Sequence, residues 1–250
     1  FERTADVIAN HLISQPDPNT LLVRSARVWP VEMVVRGFIT GVTDTALWTN
    51  YAQGRRHLYG LDFPEGLRKN QRLPAPVITP TTKAQDGGHD APISRDEILE
   101  AGLVPPAVYA EMERAALGLF ARGQELAAAR GLILVDTKYE FGMADGQLLL
   151  VGELHTVDSS RYWEAASYEA RLAAGEEPDT FDKEFLRRWY VAQGYRGEGP
   201  PPPLPPELAE RMSRTYRLAL ERLTGQPFEP DERPPAERIP ANLRQAGLLD

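Results

Sequence analysis

Three side chains in the segment Leu134-Val-Asp-Thr-Lys-Tyr-Glu-Phe-Gly142 can do acid–base or phosphate chemistry: Asp136, Lys138 and Glu140. They stand two apart, so an extended strand projects all three from one face and gives the other to Val135, Thr137, Tyr139 and Phe141. Asp145-Gly146 is a two-residue hairpin turn signal. With Ala144 opposite Gln147, the register sets Lys138 against Glu153 and Asp136 against His155. Carboxylates beside a lysine suit a magnesium–phosphate site, where hard oxygens hold the cation and the lysine neutralises phosphate or acyl oxygen. The plain alternative is a solvated, salt-bridged face of little energetic worth. The apolar flanks of both strands argue instead for a central hairpin whose charged face lines something.

Further donors for an anion lie on either side. Asp158-Ser-Ser-Arg-Tyr-Trp163 offers Ser159 and Ser160 beside Arg161, and Arg36 ends a strand ahead of a Gly-Phe-Ile-Thr-Gly turn. Neither serine sits in a Gly-x-Ser-x-Gly elbow, so a serine nucleophile is disfavoured. There is no phosphate-binding Gly-x-x-x-x-Gly-Lys-Ser/Thr loop and no His-Glu-x-x-His, and His11, His57, His89 and His155 lack paired ligand spacing. The chain has no cysteine, which excludes disulfides, thiolate zinc sites, iron–sulfur clusters and cysteine nucleophiles. Its 28 basic and 36 acidic residues give a net charge of −8. That balance disfavours coating a nucleic acid or an anionic membrane, so neither partner is expected, and a small anion would need a local basic cluster. No apolar run approaches the roughly 18–20 residues of a membrane helix, and no signal peptide opens the chain. A cytoplasmic location is expected.

These residues need elements to hold them. At 250 residues and 42% hydrophobic content the chain can bury a sizeable core in one large domain or two lobes. Strands are expected over 21–28, 31–39, 132–141 and 147–156, and the end of a helix within 1–13. Ser94 and Glu97 form a capping box. Pro105-Pro106 opens a long amphipathic helix over 107–130, with Val108, Met112, Ala115, Leu119 and Leu126 on its apolar side. Helices are expected at 161–174, 182–193 and 207–224, with the proline-rich stretch 197–206 as a stiff connector rather than a peptide ligand. Residues 40–92 show little periodicity, which marks them as functional rather than connective.

Several ordered motifs carry a family resemblance: Val31-Glu-Met-Val-Val-Arg-Gly-Phe-Ile-Thr-Gly41, Lys69-Asn-Gln, Thr79-Pro-Thr-Thr-Lys83, His89-Asp-Ala-Pro-Ile-Ser94, the 134–142 segment and Asp158-Ser-Ser-Arg-Tyr-Trp163. Together they resemble the SAICAR synthetase family in its longer, yeast- and plant-type form, from residue 1 to about 225. The resemblance implies an α+β, two-lobed fold with ATP in the cleft between lobes: residues 1–30 a remnant of an N-terminal β-rich lobe that is otherwise largely lacking, and 31–250 the large lobe.

It also implies an ATP-dependent ligase that joins L-aspartate to carboxyaminoimidazole ribonucleotide (CAIR), with ATP and magnesium required. By that resemblance Lys138, Asp136 and Lys83 lie at the reacting groups. Arg36, Thr43, Asp90, Asp158, Ser160, Arg161 and Arg187 meet the substrate, Glu32, Glu140 and Glu153 serve ATP, and Glu140 and Glu153 hold the metal. Val42 stands where the family commonly has serine, with Thr43 next, so the contact there is shifted or weaker. A monomer is expected, with a homo-oligomer the alternative. The rival reading is a truncated, non-catalytic paralogue that binds the ribonucleotide without turnover.

Overall fold

Strand-forming residues dominate Arg27–Phe38 and Leu132–Ala144, and these two segments pair antiparallel at the centre of a six-stranded sheet. The computed structural model describes residues 1–43, 45–83, 91–181, 183–195, 197 and 199–250. In chain order the elements are β1 (Leu12–Asp17), β2 (Thr20–Val23), β3 (Arg27–Phe38), α1 (Leu47–Ala52), β4 (His57–Leu58), β5 (Leu61–Asp62), β6 (Arg72–Ile78), β7 (Thr81–Thr82), α2 (Arg95–Glu100) and α3 (Pro106–Ala128). There follow β8 (Leu132–Ala144), β9 (Gln147–Val151), β10 (Ser160–Glu164), α4 (Ala165–Ala174), α5 (Glu184–Ala192), α6 (Pro206–Thr224) and α7 (Pro235–Gln245). The main sheet runs β10-β8-β3-β6, with β9 also on β8 and β7 also on β3. The fold is α+β.

One face of this sheet is the core. Val31, Met33 and Val35 of β3 join Leu134, Tyr139 and Phe141 of β8 against Met112, Leu119 and Phe120 of α3, all fully buried. Small residues let α3 come close: a Cβ at Gly123 would lie 2.7 Å from Leu134 Cδ2. Alternation then sends Glu32, Val34 and Arg36 to the opposite face. On β8 the alternation is interrupted, because Arg161 pairs with Asp136 while Tyr162 pairs with Leu134, leaving Val135 bulged. Val135 packs instead with Phe38, Trp163 and Tyr168 in a second apolar cluster.

Several expectations need correction. Residues 1–13 hold only a 3₁₀ turn, Glu2–Thr4, before β1, which from Leu12 takes its backbone partners from β2. The strand expected over 21–28 is split between β2 and β3. Residues 160–164 are strand rather than helix, because Ser160–Glu164 pairs along β8, and helix begins only at Ala165. The register through Ala144 and Gln147 holds, yet β9 ends at Val151, where Gly152 (φ 72°) and His155 (φ 56°) turn the chain away. His155 therefore does not oppose Asp136; its Nε2 lies 2.7 Å from the Tyr139 hydroxyl on the core side. The capping box at Ser94 and Glu97 is formed. Pro30 lies within β3, whose register with β8 shifts between Val28 and Glu32. Among the described residues, no helix is long and apolar enough to cross a membrane.

Candidate functional site

Strand register assembles the site. Arg36 of β3 and Arg161 of β10 each pair with Asp136 of β8, so two guanidiniums flank one carboxylate on a single rung. Arg36 Nη1 donates to Asp136 Oδ2 at 3.1 Å, and Arg161 Nε donates to Oδ1 at 3.0 Å. Arg36 Nε also donates to Thr79 Oγ1 at 2.8 Å. Asp136 is 5% exposed and Arg36 9%, so these are charge-assisted bonds shielded from water. Asp136 holds both arginines in place while leaving the trio one positive charge in excess.

Lys138 lies two residues along the same face. It donates to Glu32 Oε1 at 2.8 Å, and Glu32 Oε2 accepts from Thr81 at 3.2 Å. Glu140 stands between two ammonium groups: Oε1 is 3.8 Å from Lys138 Nζ, and Oε2 accepts from Lys83. Partial burial lowers the Lys138 pKa, but the Glu32 hydrogen bond and the charges of Glu32, Glu140 and Glu153 outweigh it and hold the ammonium above its ordinary value. Lys138 is a cation at neutral pH, fit to neutralise an anion rather than to act as a base.

The loop after β9 closes the site. A Cβ at Gly152 would lie 3.9 Å from the Glu140 carboxyl carbon, so the chain passes beside Glu140, and the Glu153 that follows acts through its charge on Lys138. Thr156 donates to Glu153, and the Ser159 N–H donates to Thr156 Oγ1 at 3.2 Å. Ser160 Oγ donates to Thr137 Oγ1 at 2.8 Å. Asp158 accepts from Lys183 Nζ at 2.6 Å, and that bond holds its carboxyl below the ordinary carboxylate range. The N-terminus of α5 adds Glu184, 4% exposed, with Oε2 3.9 Å from Arg161 Nη1 and 3.5 Å from Arg187 Nη1.

These residues surround a cavity of about 320 Å³, lined by Glu32, Val34, Arg36, Asp136, Thr137, Lys138, residues 157–161, Lys183 and Arg187. Five basic side chains line it against three carboxylates. In a chain of net charge −8 this is a local reversal of sign, the condition for holding a small anion.

Of the residues expected at the site, Glu32, Arg36, Asp136, Lys138, Asp158, Ser160, Arg161 and Arg187 line the cavity. Lys83, Glu140 and Glu153 form a second group beside Lys138. Thr43 is exposed and not part of the lining. Asp90 lies outside the described residues. Sequence reasoning missed Thr79, Lys183 and Glu184. Lys183 carried a signal as one of only four lysines, Glu184 forms a three-apart acid–base pair with Arg187, and Thr79 opens the Thr79-Pro-Thr-Thr-Lys83 motif without being singled out there. Among the described residues, no three His, Asp or Glu side chains are grouped to hold a metal by themselves.

A basic pocket on an antiparallel sheet, with a lysine–carboxylate rim beside it, defines a protein that handles small phosphorylated or carboxylated molecules. The family model described as SAICAR synthetase matches residues 1–202. A Mesorhizobium japonicum relative is 52% identical over 232 residues, which is 92% of this chain and 74% of the relative. A phosphoribosylaminoimidazole-succinocarboxamide synthase of Legionella pneumophila is 48% identical over 94% of this chain and 75% of its own. Among solved structures, SAICAR synthase of Saccharomyces cerevisiae complexed with SAICAR superposes with a TM-score of 0.73 at 30% identity, covering 92% of this chain and 79% of the yeast chain. The chain belongs to the SAICAR synthetase family.

Proposed function

We propose that this chain is an ATP-dependent carbon–nitrogen ligase of purine biosynthesis, joining L-aspartate to the carboxylate of CAIR to give SAICAR, ADP and phosphate. Family membership supports the reaction, and the single observation that carries it in the structure is the cavity centred on Arg36, Asp136 and Arg161. CAIR bears a phosphate and a carboxylate, and a pocket with an excess of guanidinium and ammonium groups matches both.

A carboxylate resists attack by an amine until one of its oxygens is phosphorylated. Its oxygen therefore takes the γ-phosphoryl of ATP with ADP leaving. The aspartate amine then adds to the acyl carbon, phosphate departs with the oxygen, and the amine gives up a proton. Negative charge gathers at the transferring phosphoryl group, and Lys138 and Lys83 stand where they offset it. Arg36, Arg161 and Arg187, with the Ser160 hydroxyl, grip the ribonucleotide, and Asp136 and Asp158 fix the orientation of the cations that do so.

Magnesium fits this arrangement. Glu140 and Glu153 are hard-oxygen donors whose charges both act on Lys138, and magnesium bound with a nucleotide takes one or two protein carboxylates, its other positions going to phosphate oxygens and water. Bound there it would offset phosphate charge. The reading is tested by supplying ATP, L-aspartate and CAIR and following SAICAR by its absorbance and ADP by chromatography. Stoichiometric SAICAR and ADP are expected; ADP without SAICAR, or neither, overturns it.

A further inference from the structure

Outside the cavity, one carboxylate joins α5 to a segment more than 100 residues away. Glu177, in the turn between α4 and α5, accepts from Lys69 on Oε1. Its Oε2 accepts from Asn70 Nδ2 at 3.1 Å and from Arg188 Nη2 at 3.2 Å. Its own carbonyl accepts from Arg171 Nε of α4 at 2.6 Å. Asn70 is 3% exposed and left-handed (φ 65°), a conformation asparagine tolerates better than most residues. It exchanges backbone bonds with the end of the central strand: Asn70 N–H to Ile39 O at 2.7 Å and Ile39 N–H to Gln71 O at 3.0 Å. Thr40 Oγ1 then donates to Asn70 Oδ1 at 2.6 Å.

Both ends of this chain of bonds reach the anion cavity. Gly41 follows Thr40, and a Cβ there would lie 3.3 Å from Arg161 Nη1, so this backbone lies against the guanidinium. Arg188 adjoins Arg187 on α5 and lies one turn beyond Glu184, and those two residues face each other at the cavity wall. Glu177 is the only hydrogen-bond partner of the Arg188 guanidinium among the described residues, and Arg188 Nε is buried without one. Burial, which disfavours the carboxylate, is outweighed by the Lys69 and Asn70 hydrogen bonds and the Arg188 charge, so Glu177 is held below its ordinary pKa and stays ionised.

We infer that Glu177 is a positioning residue for ribonucleotide binding: it ties α5, with Glu184 and Arg187, to the Thr40–Gly41 backbone behind Arg161, and so sets the spacing of the arginines across the cavity. The inference rests on the ligase reading for the identity of the ligand, not for the mechanical link. Glu177→Gln keeps the shape and one acceptor but removes the charge that binds Lys69 and Arg188.

Hydrogen exchange and calorimetry on the full chain test it. Glu177→Gln is expected to speed amide exchange in residues 186–192 and 40–43, to raise the Kd for CAIR about ten-fold, and to leave ATP affinity at the parent value. Glu177→Asp should recover part of the loss. Arg188→Met, which cuts only the α5 end, should reproduce the exchange pattern and guards against a Glu177 variant that fails to fold. Parent-like exchange over 186–192 in both variants overturns the inference, as does equal weakening of CAIR and ATP, which would mean general loosening. A parent that binds no CAIR sinks the ligase reading instead, and the exchange comparison still decides the link between Glu177 and α5.

Discussion

Asp136 is shared between two arginines, and that sharing makes its neighbours' contributions non-additive. Removing Arg36 or Arg161 takes away a charged donor and also leaves Asp136 half-satisfied in a buried place. Each change to alanine should weaken CAIR binding by about 1.5–3 kcal/mol in calorimetry. The double variant should lose less than the sum, because the second removal leaves Asp136 with no arginine to organise. Affinity unchanged in both single variants would remove these arginines from the site. Glu140 and Glu153 have a different role at the same scale. Glu140→Gln and Glu153→Gln nearly preserve shape while each removes one negative charge from the proposed cation site. The magnesium concentration for half-maximal turnover should rise about ten-fold in each, while the melting temperature moves little; a solvated salt-bridge face would give parent-like magnesium titrations.

At the scale of elements, the turn after β9 has its own signature. His155 is left-handed and half-buried, its ring against Tyr139 and α3, and desolvation there pushes its pKa down to about 4 from the ordinary 6.5. The folded state therefore stays neutral there while the unfolded chain takes up a proton below pH 6.5. Stability falls as pH drops through that window, by about 3 kcal/mol from this residue alone, and levels off below pH 4. His155→Asn tolerates the left-handed backbone and cannot titrate. It should be less stable than the parent at pH 7 and show a shallower decline from pH 6.5 to 4 in denaturant melts; parallel curves would exclude His155 as the source. This turn also shows where sequence stops being legible. Alternation set Asp136, Lys138 and Glu140 on one face and the Asp145-Gly146 turn set the β8–β9 register, because both are local rules. The strand's end at Val151, the bulge at Val135 and the strand at Ser160–Glu164 depend on partners far along the chain. The contacts of Glu184 with Arg161 and of Thr79 with Arg36 stayed hidden for the same reason: only tertiary pairing brings those arginines near.

At the scale of the whole fold, a contact between segments far apart in sequence ties α7 to the β1–β2 hairpin. Arg238 of α7 donates from Nε to Asp17 Oδ2 at 3.0 Å and from Nη2 to Oδ1 at 3.3 Å, and Asn242 Nδ2 donates to the same carboxylate at 2.8 Å. Both charges are out of solvent, Asp17 1% and Arg238 5% exposed, so each depends on the other across 221 residues of sequence. Exposed Ile13, Leu21 and Val23 show how little apolar burial the β1–β2 hairpin has of its own, and an isolated hairpin is marginal in water. The docked α7 is thus what holds the hairpin. Arg238→Met strands the Asp17 carboxylate in a buried place, and breaking such a pair from one side is strongly destabilising. The melting temperature should fall by roughly 5–10 °C, and amide exchange over residues 12–23 should rise. Replacing both partners, Asp17→Leu with Arg238→Met, leaves no lone charge and should recover much of that loss. Neither residue lines the anion cavity, so CAIR affinity at 25 °C should match the parent in both variants. If Arg238→Met instead melts with the parent, the hairpin draws its order from the Asn10–Leu150 bridge and the strands beside it, and α7 is a passenger.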